Sequence, residues 1–137
     1  MNSINFNDPL FKQTDEYKNF INNNKSQGYL SIRAYAANAA IPISGLSITV
    51  YKILDNQKVI FFEGATDNSG MISQISLPAP VLSGNDEEIP ASIDYDVDAK
   101  YQDQELIFNI KLYSNIQVNQ NINIVPEIRL DGSFYVS

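Results

Sequence analysis

Between Gly28 and Pro126 apolar and polar residues alternate with a period of two, and before Gly28 they do not. In YLSIRAYA, Leu30, Ile32 and Ala34 share one side, while Ser31, Arg33 and Tyr35 share the other. That is the pattern of a half-buried strand. LSITVYKIL repeats it with Leu46, Ile48, Val50 and Lys52, and DNQ at 55–57 reads as a hairpin turn into KVIFFEGAT. DNSG at 67–70 is the next turn and MISQISL the next strand. Residues 78–92, with three prolines and the acidic Asp86-Glu87-Glu88, read as the longest irregular stretch. IDYDVDAKY then sets Ile93, Tyr95 and Val97 against Asp94, Asp96 and Asp98; QDQ turns into ELIFNIKLYS, and NIQVNQNINIVPEI gives the last alternating strand. Phe61-Phe62 breaks the alternation, so one ring must face outward or meet another element.

The first 27 residues carry a different period. Asp8 is an N-cap with Pro9 at the first helical position. Leu10, Tyr17, Phe20 and Ile21 follow at helical spacing until Asn22-Asn23-Asn24 stops the pattern. The expectation is one amphipathic helix of about ten to fourteen residues behind a loose arm. Its stripe must bury against its own domain or a neighbouring subunit. The resulting division is an arm and helix over 1–27, a sandwich over 28–126, and a tail over 127–137 whose Asp131-Gly132 turn allows one more strand. About seven strands at regular turn spacing predict an all-β, antiparallel sandwich.

Composition narrows the chemistry. The chain has 137 residues, one domain's worth, with no His and no Cys. Imidazole acid/base pairs, Ser-His-Asp triads, thiol nucleophiles, thiolate metals and disulfides are thereby excluded. Nine basic against sixteen acidic residues give a net charge of −7, which opposes nucleic acid and anionic lipid. The first residues lack the basic-then-apolar order of a signal peptide, and no apolar run nears the roughly 20 residues of a membrane span. Synthesis in the cytoplasm is expected, with display on a spore or phage-like particle left open.

The order of landmarks resembles the carboxypeptidase regulatory-like family, which are transthyretin-like sandwiches related in shape to adhesin B-repeats of Gram-positive bacteria. IPISGLSITVY is similar to the family's opening, TDNSG to its Thr-Asp-x-x-Gly turn, and LPAP to the Leu-Pro one strand later. The preceding DEYKNFINNNKSQGYL resembles a clostridial helix-plus-sandwich variant. The resemblance implies a seven-stranded transthyretin-like sandwich with a short N-terminal helix, over about residues 28–126. Two departures stand out. AKYQDQE lacks the glycine of the family's Ala-x-Gly-Tyr corner, so that corner must turn differently. The first strand offers Arg33 where adhesin relatives place the lysine of an isopeptide bond, so no such bond is expected.

Two carboxylate features compete with plainer readings. As a calcium loop, Asp67-Asn68-Ser69-Gly70 would need an acidic residue at its twelfth position, where Pro78 stands. A turn, with Asp67 bonding nearby amides and Gly70 at positive φ, fits better. Asp94, Asp96 and Asp98, about 7 Å apart along one strand face, read as a cation trap or as a solvated stripe that discourages edge pairing. No catalytic set or cofactor is implied, and an enzyme is not expected. The leading expectation is a non-catalytic structural or accessory sandwich acting through protein–protein association, self-assembly included, in a spore, phage-like or cell-surface structure. Leu10, Tyr17, Phe20, Ile21, Phe134 and Tyr135 are its candidate contact residues. The alternatives are a cell-wall glycan-binding module, which the absence of Trp weakens, and a small hydrolase using a carboxylate pair that nothing in the chain singles out.

Overall fold

A computed structural model describes residues 2–36, 40–82, 90–124, 127–128 and 134–135. In chain order its elements are β1 (Ser3–Asn5), α1 (Pro9–Lys12), α2 (Asp15–Asn23), β2 (Ser26–Ala36), β3 (Ile41–Pro42), β4 (Ser47–Leu54), β5 (Gln57–Ala65), β6 (Met71–Ala79), β7 (Ser92–Tyr101), β8 (Gln104–Tyr113), β9 (Gln117–Ile124), β10 (Glu127–Ile128) and β11 (Phe134–Tyr135). A five-stranded sheet in the order β1-β5-β4-β7-β8 faces a four-stranded sheet in which β2 is flanked by β3 and β6 on one side and β9 on the other.

The all-β expectation holds, and its finer form is corrected. The sheets are mixed: β1 runs parallel to β5, and β9 runs parallel to β2 over Tyr29–Ala36. The second pairing follows from connectivity. After β8 the chain turns at Ser114-Asn115, with Asn115 at φ 59, and Asn115 N–H donates to the Gln27 carbonyl. β9 thus reverses the direction of β8 in the opposite sheet, where it meets β2 running the same way.

Alternation places the core as expected. Leu30, Ile32 and Ala34 of β2, Ile48 and Val50 of β4, and Ile93, Tyr95 and Val97 of β7 are all buried between the sheets. Each large apolar side chain there contributes about 1.5–3 kcal/mol. The Tyr95 hydroxyl donates to the Pro78 carbonyl at 2.6 Å, linking β7 to β6 of the other sheet, and burial pushes this phenol's pKa up. Pro78 and Ala79 therefore belong to β6 and not to a loop. The acidic residues Asp86, Glu87 and Glu88 lie outside the described residues.

The turns are built as their residues require. Asp55-Asn56, both at positive φ (50 and 60), join β4 to β5 as a two-residue hairpin. Gln102, at φ 51, closes the β7–β8 corner that lacks a glycine.

The N-terminal segment departs from the single-helix expectation. Asp8 does cap α1, its carboxylate accepting from Leu10 N–H at 2.9 Å. Thr14 then ends that helix and starts a second one. Its hydroxyl donates to the Phe11 carbonyl at 2.6 Å and accepts from Tyr17 N–H at 3.2 Å. The arm before Asp8 is a strand, with Phe6 N–H bonded to the Ile60 carbonyl at 2.8 Å. Phe6 stacks on Phe61 (centroids 4.4 Å apart) and meets Phe20 edge-on at 5.7 Å. The broken alternation at Phe61-Phe62 is a β-bulge: Val50 faces Phe62 but Tyr51 faces Ile60, leaving Phe61 as the extra residue. The bulge turns the Phe61 ring toward Phe6, Phe20 and Tyr95. The described residues before β2 thus add a strand and an aromatic plug to the sandwich.

Candidate functional site

Asp67-Asn68-Ser69-Gly70 is a turn. Asp67 Oδ1 accepts from Ser69 N–H at 2.9 Å and Met71 N–H at 3.0 Å, and Gly70 sits at φ +75. One carboxylate oxygen is already committed to the backbone. A side chain at Gly70 would run into the Ala34 carbonyl, so the turn also sets how closely it approaches β2.

The Asp94, Asp96 and Asp98 row lies on the outer face of β7, which is not an edge but is paired on both sides, with β4 and β8. The edge-guarding role is therefore corrected. Each aspartate has its own neighbours. Asp94 accepts from Lys111 Nζ at 2.9 Å, and that contact raises the lysine's pKa. Asp96 accepts from Asn109 Nδ2 at 3.4 Å. Asp98 is 8% exposed, with Oδ1 unpartnered and Oδ2 3.7 Å from Lys100 Nζ. Burial first, then the adjacent Glu105, pushes its pKa up against the opposing pull of Lys100 and Lys58. Among the described residues no group of three or more acidic side chains is arranged to hold a metal ion.

The candidate contact residues separate. Phe20 is buried in this chain's own core, and Ile21 packs against it. Tyr17 lies against Phe6 and Phe11. These three serve the sandwich itself, because the stripe of α2 finds Phe6 and Phe61 to cover. Leu10, at 71% exposed, stays open to solvent. Phe134 and Tyr135 form β11, paired antiparallel with β10; as contact side chains they lie outside what is described.

The surface that the sequence reading passed over is β8. It ends the five-stranded sheet, and among the described residues no strand pairs with its outer side. The two-residue turn makes Tyr101 and Gln104 a hydrogen-bonded pair. Leu106, Phe108 and Ile110 therefore aim their backbone groups at β7. Glu105, Ile107, Asn109 and Lys111 aim theirs outward, along the free edge. Long unpaired edges of this kind are templates for another strand. Leu106 (51% exposed) and Ile107 (55% exposed) add apolar surface to it. A signal was present in the sequence: Ile107 is the apolar residue on the otherwise polar row Glu105, Asn109, Lys111.

Beside this edge the sheets splay. β8 and β9 share the turn at Ser114–Ile116 and diverge from it, since β9 leaves to pair with β2. At their far ends a cleft of about 500 Å³ opens, floored by Leu46, Ala99 and Ile122, with Leu106 and Asp103 on its lining.

No family model matches the chain, and no curated protein matches it. Among solved structures the chain is similar to the crystal structure of catechol 1,2-dioxygenase from Pseudomonas arvilla C-1, at 8% identity and a TM-score of 0.47. The match covers 95% of this chain and 58% of that one, so the chain spans little more than half the neighbour's length. Likeness at this level carries no activity across. The sequence reading did not expect an enzyme; the neighbour is itself one, and that expectation is not carried forward. Among the described residues no helix is long and apolar enough to cross a membrane.

Proposed function

We propose that this chain is a structural or accessory component that acts through protein–protein association, joining its partner along the outer edge of β8. The observation that carries the reading is the edge strand β8, whose residues Glu105, Ile107, Asn109 and Lys111 aim their backbone groups outward where no described strand pairs with them, and which bears exposed Leu106 and Ile107. Strand addition there supplies backbone hydrogen bonds for affinity and side-chain contacts for selectivity. The five-stranded sheet behind it is already ordered, so the edge is held in an extended shape before any partner arrives.

The resemblance to carboxypeptidase regulatory-like sandwiches is part of this reading. It rests on the IPISGLSITVY opening and the TDNSG turn, and the positive φ of Gly45 and Gly70 fits both. Assembly into a spore, phage-like or cell-surface structure would use the same edge.

Amide hydrogen exchange tests the proposal. With rising protein concentration, the outward amides of Glu105, Ile107, Asn109 and Lys111 should gain protection while those of Leu106 and Ile110 stay protected throughout. Outward amides that exchange fast at every concentration and with every partner preparation would overturn it.

A further inference from the structure

From the charge order along this edge we infer that the partner is a second copy of the same chain, paired antiparallel through β8 about a two-fold axis at Phe108. The inference rests on the reading of β8 as an association edge and goes on to name its occupant and register.

In an antiparallel pair of identical strands centred on Phe108, Glu105 of one copy lies opposite Lys111 of the other, and the symmetry repeats that contact on the far side of the axis. Ile107 lies opposite Asn109 in the same way. All four of these residues have outward backbone groups, so this register places hydrogen-bonding residues opposite one another. A shift of two residues in either direction would set Glu105 opposite Asn109 or Tyr113. A lysine on a free edge ordinarily discourages pairing; here the two-fold brings it to a carboxylate.

The neighbouring strands extend the match. Within one copy Lys100 faces Glu105, 3.5 Å apart, and Asp94 faces Lys111, 2.9 Å apart. Across the junction a single row would read Lys100, Glu105, then Lys111 and Asp94 of the second copy, alternating in sign over four strands. The added ammonium group would stand beside Glu105, whose own neighbour Asp98 keeps a buried oxygen without a hydrogen bond. On the inward row Leu106 would meet Ile110 of the second copy, covering a leucine that is now half exposed.

Glu105 and Lys111 side chains are each about half exposed, so both can be changed without unfolding the sandwich. Charge reversal then gives a register-specific test, read by sedimentation velocity with circular dichroism as the folding control. Wild type should dimerise. Glu105→Lys alone and Lys111→Glu alone should each raise the dissociation constant at least about tenfold, because each creates two like-charge contacts. Mixing the two single variants should produce a heterodimer, and the double variant should dimerise again. If wild type dimerises but the single variants do so equally well, or their mixture does not associate, the register is overturned and β8 association by another geometry stands. If wild type and the mixture both remain monomeric while another protein protects the β8 amides, the second copy is overturned and the edge reading survives. If nothing engages the edge, both readings fall.

Discussion

Tyr95 and Pro78 are joined by a buried hydrogen bond, the phenol donating at 2.6 Å to a carbonyl of the opposite sheet. Tyr95 sits in the core beneath the Phe61 bulge, so this bond ties β6, β7 and the aromatic cluster together. Tyr95→Phe keeps the ring and strands the Pro78 carbonyl without its donor. The expected loss is about 1–3 kcal/mol in urea unfolding. A loss below the scatter of repeat measurements would mean that water or another donor takes over the carbonyl.

The N-terminal segment is held by Phe6. Phe6→Ala removes the stack on Phe61 and the contact to Phe20, at an expected cost of about 2–4 kcal/mol. Removal of residues 1–25 should do more, uncovering Phe61 and Val59, and should raise binding of a hydrophobic dye. A truncated chain as stable as the full one would show that the sandwich closes without the segment.

These two contacts mark where the sequence was legible and where it was not. Period-two alternation placed Leu30, Ile48, Val97 and their neighbours correctly, since each strand has one buried face. Turn chemistry placed Asp55-Asn56 and Asp67–Gly70 for equally local reasons. The strand at Ser3–Asn5 is too short to display a period, and its pairing depends on Phe6 meeting a distant bulge. Thr14 interrupts the helix without disturbing the spacing of Tyr17, Phe20 and Ile21. The parallel pairing of β2 with β9, and the place of β8 at a sheet edge, are set by how the chain crosses between sheets. No local pattern encodes that, although Ile107 on a polar row hinted at it.

Glycine is needed at Gly70 and merely convenient at Gly45. Both have positive φ, +75 and +79. An added Cβ at Gly70 meets the Ala34 and Ile43 backbone, whereas at Gly45 it meets nothing. Gly70→Ala should therefore cost more than Gly45→Ala, the latter staying near the backbone penalty of about 1–3 kcal/mol. Equal losses in a thermal unfolding comparison would contradict the close approach.

Asp98 carries a pH signature. Its folded-state pKa lies above the ordinary value of 3.8, raised by burial and then by Glu105. A carboxyl that holds its proton more tightly when folded penalises the native state above its folded pKa, and the penalty fades as pH falls through that value toward 3.8. Asp98→Asn should accordingly be more stable than wild type at pH 7, with the difference closing on acidification. Parallel stability curves for the two proteins would contradict this.

Association along β8 is the central claim, and light scattering of wild type beside Ile107→Pro tests it most directly. Residue 107 directs its N–H away from β7, so proline there removes an outward donor and leaves the β7 ladder intact. The account predicts a wild-type mass that climbs with concentration to twice the monomer, and a folded proline variant that remains at the monomer mass. Wild type held at the monomer mass throughout, or a proline variant that dimerises as readily, would contradict it.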